Sequence, residues 1–540
     1  MQGRMMSQPL LLSSLLDHAA TYHQDAKIIS KNTNGQIIET NWQTVSDNAK
    51  RFAKVLSQLN LQFSDRVATL AWNNHRHLES WFAISGSGMI CHTINPRLFP
   101  EQLIFIINDA TDKVLLFDKT FLPLVIGIKA HLPSVEHFIC LEPYDAEIAE
   151  KLPEVKFYDD LITDIDSYFD WPNFDENTAS TLCYTSGTTG NPKGALYSHR
   201  STLLHAMAAC LPDAMNISAR DVLLPVVPMF HVQAWSTPYG AALAGCTVVL
   251  PGPGLDGDSL VKLIDDYKVT IALGVPTIWQ SLLISAEKLN SRLNSLKRNV
   301  IGGSTCPPAM LRTFKDKYAC ETIHAWGMTE TSPLGTVNQL KAKHMDLDDE
   351  SQINVRLSQG RPPFGVQIRL TDGENSTELL PHDGQTIGNL QIKGHWVIES
   401  YFGKDSTALT TDGWFDTGDI ATIDSDGYLT ISDRSKDLIK SGGEWISSVE
   451  LENIAMGHPA IAMAAAIAAT HPKWDERPVV IAVKKPDTQI TEQDILDYYQ
   501  DKIAKWQIPD RVIFVDAIPL SGTGKMLKRE LRKDFGDVLQ

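Results

Sequence analysis

Short β-rich runs alternate with helical patterns through the first four-fifths of this 540-residue chain, and that alternation constrains its fold more than any other feature. The strand-like runs are Val67–Trp72, Val114–Phe117, Thr247–Leu250, Thr270–Gly274 and Asn299–Ile301. The helical patterns include Trp42–Leu59, Leu260–Tyr267 and Pro308–Lys317. Strands that alternate with helices form largely parallel sheets covered by those helices. The sequence therefore predicts layered α/β subdomains.

The pattern changes near residue 360. Three shorter strand patterns, Gln367–Leu370, Gly388–Lys393 and Gly427–Ile431, are separated by Asp-Gly and Gly turns and predict a meander. The polar segment Asp433–Asp437 follows, and a chain of this length needs more than one core. We expect a large N-terminal α/β domain over 1–432 with a β-rich subdomain, a junction at 433–437 and a small α+β C-terminal domain over 438–540.

Composition excludes several classes of protein. A net charge of −17 repels nucleic acid and anionic membrane surfaces, so no nucleic acid partner is expected. The seven cysteines include no C-x-x-C pair, which suits neither a disulfide framework nor a zinc site. They are expected to be reduced, mostly buried thiols in the cytoplasm.

Two apolar stretches need to be distinguished from membrane segments. Asp17 and His18 interrupt the N-terminal run and no cleavage pattern follows, so the run predicts a first amphipathic helix rather than a signal peptide. The run Val222–Leu255 holds no charged residue, but five prolines, His231 and Gln233 break it. No transmembrane segment is expected, and the second run is predicted to be buried strands and loops.

The segment Tyr184–Gly194 is the most informative one for function. Its three glycines let the backbone turn sharply and approach a ligand closely. Its four hydroxyls and Lys193 supply donors for phosphate oxygens. The segment is not a Walker A motif, because Pro192 stands at the second glycine position. A Ser/Thr/Gly-rich surface turn is the alternative; the density of phosphate-compatible groups favours a phosphate loop.

A second glycine-rich segment, Gly252–Gly257, fits the pattern G-x-G-x-x-G between a strand pattern and a helix pattern. A dinucleotide site there would make the chain a nicotinamide oxidoreductase, which we keep as an alternative. Against it, Asp256 and Asp258 would lie where a pyrophosphate binds, and Pro251 and Pro253 remove two backbone donors. The favoured interpretation is a turn capped by Asp258.

Taken together, these segments resemble a known family. The Tyr184–Gly194 loop is similar to the phosphate loop of the adenylate-forming superfamily of acyl-CoA synthetases, adenylation domains and luciferases. Further stretches resemble that superfamily's motifs in the expected order: the gate segment Val227–Trp235, the adenine motif Trp326–Thr331, the ribose motif Gly413–Asp419, the linker Asp433–Leu438 and the C-terminal lysine motif Gly522–Lys525. With Asn95–Phe99 and Lys440–Ser448, the chain most resembles bacterial medium-chain fatty acyl-CoA ligases; methylthiopropionyl-CoA ligases are close relatives.

The resemblance implies where substrates bind. Residues expected to contact ATP are Thr185, Ser186, Gly187, Thr188, Thr189, Gly190, Lys193, Gly303, Ser304, His324, Ala325, Trp326, Gly327, Met328, Thr329, Asp419, Arg434, Lys436 and Lys440. Those expected to contact the acyl group or coenzyme A are His231, Val232, Trp235, Gly303, Gly442, Gly443, Glu444 and Trp445. Mg²⁺ is expected on Thr185 and Glu330, because it prefers hydroxyl, carboxylate and phosphate oxygens.

The resemblance also implies which residues act in catalysis: Lys525, Glu330, Thr329, His231 and Lys436. Lys525 would deliver an ammonium to developing negative charge from a mobile C-terminal domain. Lys436 would be the hinge of that domain, and His231 would line the carboxylate pocket.

Several of these positions also have an ordinary structural interpretation. Glu330 alone is typical of a solvated helix end, Trp235 of a core residue, and Lys525 of a solvated charge. Two positions depart from the family pattern. Trp326 stands where many relatives have Tyr, and Gln233 stands where Asn is common.

The activity implied is that of an ATP-dependent acid–thiol ligase, a fatty acyl-CoA synthetase that forms AMP. A fatty acid, expected to be medium-chain, would attack ATP with release of pyrophosphate, and coenzyme A would take the acyl group from the adenylate. The alternatives are a methylthiopropionate, short-chain or aryl acid–CoA ligase and, in another class, a protein that binds AMP or an acyl ligand without turnover. A cytoplasmic homodimer is expected, with loose membrane association left open.

Overall fold

The structure is a computed structural model that describes residues 1, 3–185, 191–434, 436–442, 444–486, 488–500, 502–520 and 526–540. The strands in this part of the chain are β1 Lys27–Lys31, β2 Ile37–Asn41, β3 Arg66–Leu70, β4 Ile90–Thr93, β5 Val114–Phe117, β6 His137–Cys140, β7 Lys156–Phe157, β8 Ala179–Tyr184, β9 Gly194–Ser198, β10 Val222–Pro225, β11 Thr247–Leu250, β12 Ile271–Gly274, β13 Arg298–Ile301, β14 Glu321–Gly327, β15 Leu334–Val337, β16 Val366–Thr371, β17 Gly388–Gly394, β18 Phe415–Ile423, β19 Leu429–Arg434, β20 Ile439–Ser441, β21 Glu444–Ile446, β22 Ile461–His471, β23 Asp475–Lys484 and β24 Arg511–Phe514.

The helices pack on these strands, and the predicted amphipathic N-terminal helix is confirmed as α1. They are α1 Leu12–Tyr22, α2 Trp42–Gln58, α3 His75–Gly86, α4 Pro100–Ala110, α5 Leu122–Ile128, α6 Ala146–Lys151, α7 Tyr158–Thr163, α8 His199–Cys210, the short turn α9 Val232–Trp235, α10 Thr237–Ala244, α11 Gly257–Tyr267, α12 Pro276–Lys288, α13 Pro308–Tyr318, α14 Asp349–Leu357, α15 Ser448–Met456, α16 Glu492–Tyr499 and α17 Lys528–Phe535. Asn41 caps α2 by accepting a hydrogen bond from the backbone N–H of Thr44.

Two largely parallel sheets form the layered α/β part. An eight-stranded sheet has the order β15-β14-β13-β12-β10-β11-β1-β2, and a seven-stranded sheet has the order β7-β6-β5-β3-β4-β8-β9. In both sheets the central strands pair in parallel, and antiparallel partners occur at edges, as in β1–β2, β14–β15 and β8–β9. The central strands are buried along their length, as expected when helices cover both faces. The predicted α/β fold class is therefore confirmed.

Two smaller sheets follow. Strands β16 to β19 form an antiparallel four-stranded meander, which confirms the predicted one and adds β18 to it. The last sheet has the order β21-β20-β23-β22, with β24 parallel to β23. Two hydrophobic clusters are built wholly from residues between Ile439 and Leu539. This segregation supports our proposal of a domain boundary at 433–437, although β19 itself continues to Arg434.

The structure corrects two predictions. The run Val222–Leu255 is not only strands and loops, because α10 lies within it. Pro238 falls in the first turn of α10, where its missing N–H costs nothing, and Gly245 ends the helix with a φ of 67°. The cap of α11 is Asp256, which accepts from the Ser259 N–H, and not Asp258, which pairs with Lys288.

Two other expectations can be compared with the structure. All seven cysteines are free thiols, and six of them are buried, as predicted. Across the described residues, no helix combines the length and the apolar character that crossing a bilayer requires.

A buried ion pair stabilises the C-terminal part of the chain. Lys528 Nζ lies 2.7 Å from Glu452 Oε1, and the two side chains are 11% and 6% exposed. The Lys528 ammonium also donates to Ser448 Oγ at 2.5 Å, and Glu452 accepts from the Ala466 N–H at 2.9 Å. The pair thus joins α17, α15 and β22. Removing one member of such a pair leaves an uncompensated buried charge.

We therefore expect Lys528→Met to lower the free energy of unfolding by about 3 kcal/mol, measured by urea denaturation. The double variant Lys528→Met/Glu452→Gln should recover most of this loss, because the Gln keeps an acceptor for Ala466 without a charge. Lys533→Met, on the exposed side of the same helix, is the control and should change stability by less than about 0.5 kcal/mol. Equal effects of the two lysine variants would contradict the stabilising role of the Lys528–Glu452 ion pair.

Candidate active site

Strands β8, β10 and β14 each end beside a predicted functional segment. Strand β8 leads into Thr185, β10 into the gate segment and β14 into Met328 and Thr329. Ligands of open α/β sheets bind at the carboxyl ends of their strands. The fold therefore directs the predicted phosphate, acyl and adenine segments to the ends of strands, where substrates are accessible.

One group of contacts joins the phosphate loop to Glu330. The Lys193 N–H donates to Thr185 Oγ1 at 3.3 Å, which closes the base of the loop. The Lys193 ammonium lies 4.8 Å from the centre of the Tyr401 ring, and the Tyr401 hydroxyl donates to Glu330 Oε1 at 2.8 Å. Burial, together with the Glu330 charge, raises the pKa of Tyr401, so its hydroxyl stays a donor. The lysine, the tyrosine and the glutamate thus form one connected set.

The backbone around Glu330 is held as firmly as its side chain. Thr329–Thr331 form a single 3₁₀ turn, and Glu330 is only 8% exposed. The Tyr197 hydroxyl donates to the Thr329 carbonyl at 2.6 Å, and the Ile398 N–H donates to the Glu330 carbonyl at 2.8 Å. Because both carbonyls are satisfied by partners from other segments, the turn that presents the Glu330 carboxylate is fixed on two sides.

The donor set suits Mg²⁺ bound together with phosphate. Mg²⁺ usually takes one or two protein oxygens plus substrate phosphates rather than a closed protein cage. Glu330 offers a buried carboxylate, and Thr185 offers a hydroxyl at the mouth of the phosphate loop. Within the described ranges, no cluster of three or more His, Cys, Asp or Glu side chains could hold a metal by itself. The two residues therefore fit the ion in its nucleotide-bound form.

A second group of contacts surrounds Asp419. The carboxylate is 2% exposed and accepts from the Trp326 indole Nε1–H at 2.9 Å. Its other oxygen lies 2.7 Å from Arg434 Nε. Trp326 packs tightly on Gly335, where an added Cβ would overlap the indole ring. The predicted adenine and ribose residues are thus brought together by a hydrogen bond from the Trp326 indole to the Asp419 carboxylate.

The other predicted nucleotide residues have mixed roles. His324 is buried, and both ring nitrogens bond to backbone, to the Leu357 carbonyl and to the Cys306 N–H. Burial lowers the pKa of His324 to about 4, so the ring is neutral and holds the loop after β13. Gly303 has a φ of 81° in that loop, and Ser304 is exposed there. Ala325, Gly327 and Met328 continue β14 toward Glu330.

The gate segment contains an unusual backbone. Val232–Ser236, which we call the left-handed turn, have φ values between 45° and 57°. This conformation costs a non-glycine residue roughly 1–2 kcal/mol, because Cβ approaches the following carbonyl. Trp235 lies against Gly302, where an added Cβ would be 3.0 Å from the indole. His231 is half-buried directly before the turn.

Several of the remaining predicted residues belong to the β20–β21 hairpin. Lys440 and Trp445 face each other, with the ammonium 5.7 Å from the indole centre, and Glu444 and Trp445 are exposed. The Gly442 N–H donates to the Trp474 carbonyl at 2.9 Å, with a φ of 60° at Gly442. Lys436 is exposed, and its carbonyl accepts from Arg532. Ser186–Gly190, Gly443 and Lys525 lie outside the described residues, so their predicted roles stay predictions.

Sequence reasoning missed three residues that support the site. Tyr401 connects Lys193 with Glu330, Tyr197 holds the Thr329 carbonyl, and Asn73 bonds the gate segment. Tyr197 lies in a strand-like run directly after the phosphate loop, and this position could have indicated a supporting role. Nothing local marks Tyr401 or Asn73, because each acts on a segment far away along the chain.

Comparisons with known proteins show the family of this chain. A family model described as AMP-binding enzyme matches residues 16–402, and one described as AMP-binding enzyme C-terminal domain matches residues 450–525. The chain belongs to the AMP-binding enzyme family. The predicted adenylate-forming superfamily is thereby confirmed.

Individual relatives of this AMP-binding enzyme are similar over its whole length. It is 58% identical over 539 residues to the 3-methylmercaptopropionyl-CoA ligase of Ruegeria lacuscaerulensis, with 100% of both chains covered. It is 54% identical over 539 residues to the medium-chain-fatty-acid–CoA ligase of Ectopseudomonas oleovorans, covering 100% of this chain and 98% of the relative. A solved anthranilate CoA ligase in complex with anthranoyl-AMP shares the fold, with a TM-score of 0.86, 24% identity and 98% of each chain covered.

The Trp326–Asp419 hydrogen bond leads to a test of AMP binding. Trp326→Phe keeps a flat ring but removes the donor to Asp419, so we expect the Kd for AMP to rise about tenfold, as for loss of a hydrogen bond to a charged group. Isothermal titration calorimetry measures it. Trp506→Phe, at an indole that is 44% exposed, is the control and should bind AMP normally. An unchanged Kd in Trp326→Phe would show that Asp419 does not need the indole.

Proposed function

We propose that this AMP-binding enzyme is an ATP-dependent fatty acid–CoA ligase, and that medium-chain acids are its preferred substrates. The connected set Lys193, Tyr401 and Glu330, beside Trp326 and Asp419, carries the proposal. A cation and a carboxylate at the phosphate loop are connected, through the end of β14, with a carboxylate that could accept ribose hydroxyls. The similarity to the two CoA ligases supports the same activity.

In the first step, a carboxylate oxygen of the acid attacks the α-phosphorus of ATP. The bond from this phosphorus to the bridging oxygen of pyrophosphate breaks, which yields acyl-adenylate and pyrophosphate. Thr185 and Glu330 would hold Mg²⁺, which neutralises phosphate charge when bound. Lys193 would place positive charge on the phosphates, Asp419 would orient the ribose, and Lys525 would stabilise the charge that develops.

In the second step, the coenzyme A thiol loses its proton to solvent and its sulfur attacks the acyl carbonyl carbon. The bond to AMP then breaks, leaving the thioester and free AMP. We propose that the C-terminal domain turns about Lys436 and brings the β20–β21 hairpin to the thiol channel. The step needs no enzyme thiol, and burial raises the pKa of Cys183, on the strand that leads to the phosphate loop, to about 11.

Two broader expectations remain proposals. The odd number of free thiols supports a cytoplasmic location, where thiols stay reduced. A homodimer rests on the family resemblance alone.

A second substrate is favoured by one observation, the 58% identity to a 3-methylmercaptopropionyl-CoA ligase. The acid in that ligase's name, 3-(methylthio)propionate, has a thioether sulfur where pentanoate has a methylene group. A site that recognises only chain length and apolar surface should give the two acids similar kcat/KM values. A site built for the thioether should prefer the sulfur compound.

The activity is tested by supplying ATP, Mg²⁺ and coenzyme A with acids from C2 to C16 and with 3-(methylthio)propionate. We expect release of AMP and pyrophosphate and formation of the acyl-CoA. The kcat/KM should rise about fourfold per methylene up to the medium-chain optimum, because each buried methylene contributes roughly 0.8 kcal/mol. Pentanoate and 3-(methylthio)propionate should agree within about threefold, a difference worth less than one methylene. A kcat/KM more than about 200-fold higher for 3-(methylthio)propionate than for pentanoate would replace the fatty acid assignment, since one methylene gives about 200-fold at most. No pyrophosphate with any acid would refute the ligase.

The Tyr401–Glu330 hydrogen bond is tested in the adenylation step. We expect Tyr401→Phe to slow ATP–pyrophosphate exchange about tenfold, because the hydroxyl orients Glu330. Glu330→Gln should slow it by about a hundredfold or more, because it removes the charge itself. Tyr168→Phe is the matched control, since the Tyr168 hydroxyl also bonds a carboxylate, Asp170, but on the exposed surface. Wild-type exchange in Glu330→Gln would contradict the metal-holding role.

A further inference from the structure

The left-handed turn is a strongly constrained stretch of backbone. Within the residues that the structure describes, it is the one place where consecutive non-glycine residues all have positive φ. Its members include Val232, whose branched side chain fits this conformation poorly, and Ala234, which is fully buried. An unsupported peptide of this sequence would not adopt such a turn. Surrounding residues must therefore hold it.

The chain is fixed before the turn by Asn73, which is 3% exposed. Its amide Nδ2 donates to the carbonyls of Pro225 at 2.8 Å and Val227 at 2.9 Å, and its Oδ1 accepts from the Met229 N–H at 2.7 Å. One side chain from the loop after β3 thus makes three hydrogen bonds to the segment that enters the gate.

The chain is also fixed at the end of the turn. Ser236 Oγ donates to the Ser332 carbonyl at 3.2 Å, and the Thr237 hydroxyl donates to the Ala234 carbonyl at 2.7 Å. Ser332 lies directly after the 3₁₀ turn that carries Glu330. The end of the left-handed turn is therefore connected to the metal-holding segment.

Gln233 holds the middle of the turn. Its side chain is 1% exposed, and its amide Nε2 donates to Thr181 Oγ1 on β8. The opposite face of the turn carries Trp235, which contacts Gly302. Together with the Thr237 hydroxyl on the Ala234 carbonyl, the Gln233 side chain therefore opposes relaxation within the turn itself.

We infer that Gln233 is a positioning residue for acyl selection: it holds Val232–Ser236 in the left-handed conformation, and this conformation places Trp235 against Gly302. The inference rests on the proposed function and adds the group that sets its acyl selectivity. It has a direct consequence. If Gln233 acts against backbone strain, relieving that strain by another route should make Gln233 dispensable.

The test uses the full chain with three variants. Gln233→Met keeps the length and volume of the side chain but removes the hydrogen bond to Thr181. We expect the KM for the best acid to rise about tenfold, as for a lost buried hydrogen bond, and the chain-length profile to flatten, while the KM for ATP changes less than about threefold. Ala234→Gly alone should leave the profile unchanged, because glycine adopts positive φ without strain.

The double variant Gln233→Met/Ala234→Gly tests whether relief of backbone strain makes Gln233 dispensable. We expect the KM for the acid to return to within about threefold of wild type, because glycine lowers the cost of the left-handed conformation. Gln391→Met is the matched control, since Gln391 is fully buried and bonded to Ser376 in the meander sheet. It should lower the melting temperature without changing acid selection.

Two outcomes would overturn the inference. The KM for acid and the KM for ATP could rise together in Gln233→Met, with no recovery in the double variant, which would indicate a general structural role. Alternatively, Gln233→Met could leave acid selection unchanged. Both outcomes are distinct from failure of the proposed function, which appears as absence of pyrophosphate release by the wild-type chain.

Discussion

The hydrogen bond from the Trp326 indole to the Asp419 carboxylate joins the two parts of the large domain on which the site depends. Trp326 belongs to β14 of the eight-stranded sheet, and Asp419 belongs to β18 of the meander. Both groups are buried, and the bond satisfies the indole N–H and one carboxylate oxygen. This contact connects the meander to the sheet and places β19, and with it the chain leading to residue 436, beside the proposed nucleoside site.

The same end of β14 organises the rest of the site. Glu330 follows Trp326 by one short turn, and its carboxylate is reached by Tyr401 from the segment between β17 and β18. Gly302, at the end of the neighbouring strand β13, receives Trp235 from the gate segment. The proposed phosphate, nucleoside and acyl parts of the site thus lie at neighbouring strand ends, and the loops add side chains to them.

Sequence patterns predicted the elements of this fold well and their contacts poorly. Strands such as Val114–Phe117 and Thr247–Leu250 were predicted with the bounds observed, because buried parallel strands are short apolar runs between turn residues. Helix α10 was missed because Pro238 suggested a break, although proline is well tolerated in a first turn. The left-handed turn could not be predicted, since tertiary anchors such as Asn73 and Thr181 override the local preference of Val232 and Ala234. Tyr401 was missed for the same reason, because its role exists only where it meets Glu330.

The position of Arg434 has a thermodynamic consequence. Its Nε lies 2.7 Å from Asp419 Oδ1, and it stands two residues before Lys436, on the strand that leads to the C-terminal domain. Nearby, Asp433 accepts from the Ser448 N–H at 2.6 Å, and the Ser447 hydroxyl donates to the Ser432 carbonyl at 2.6 Å. A nucleoside that donates hydrogen bonds to Asp419 would therefore share this carboxylate with Arg434, and Arg434 lies where the chain enters the C-terminal domain. Coupling free energies are reciprocal. The free energy by which a bound nucleoside favours one orientation of the C-terminal domain therefore equals the free energy by which that orientation strengthens nucleoside binding.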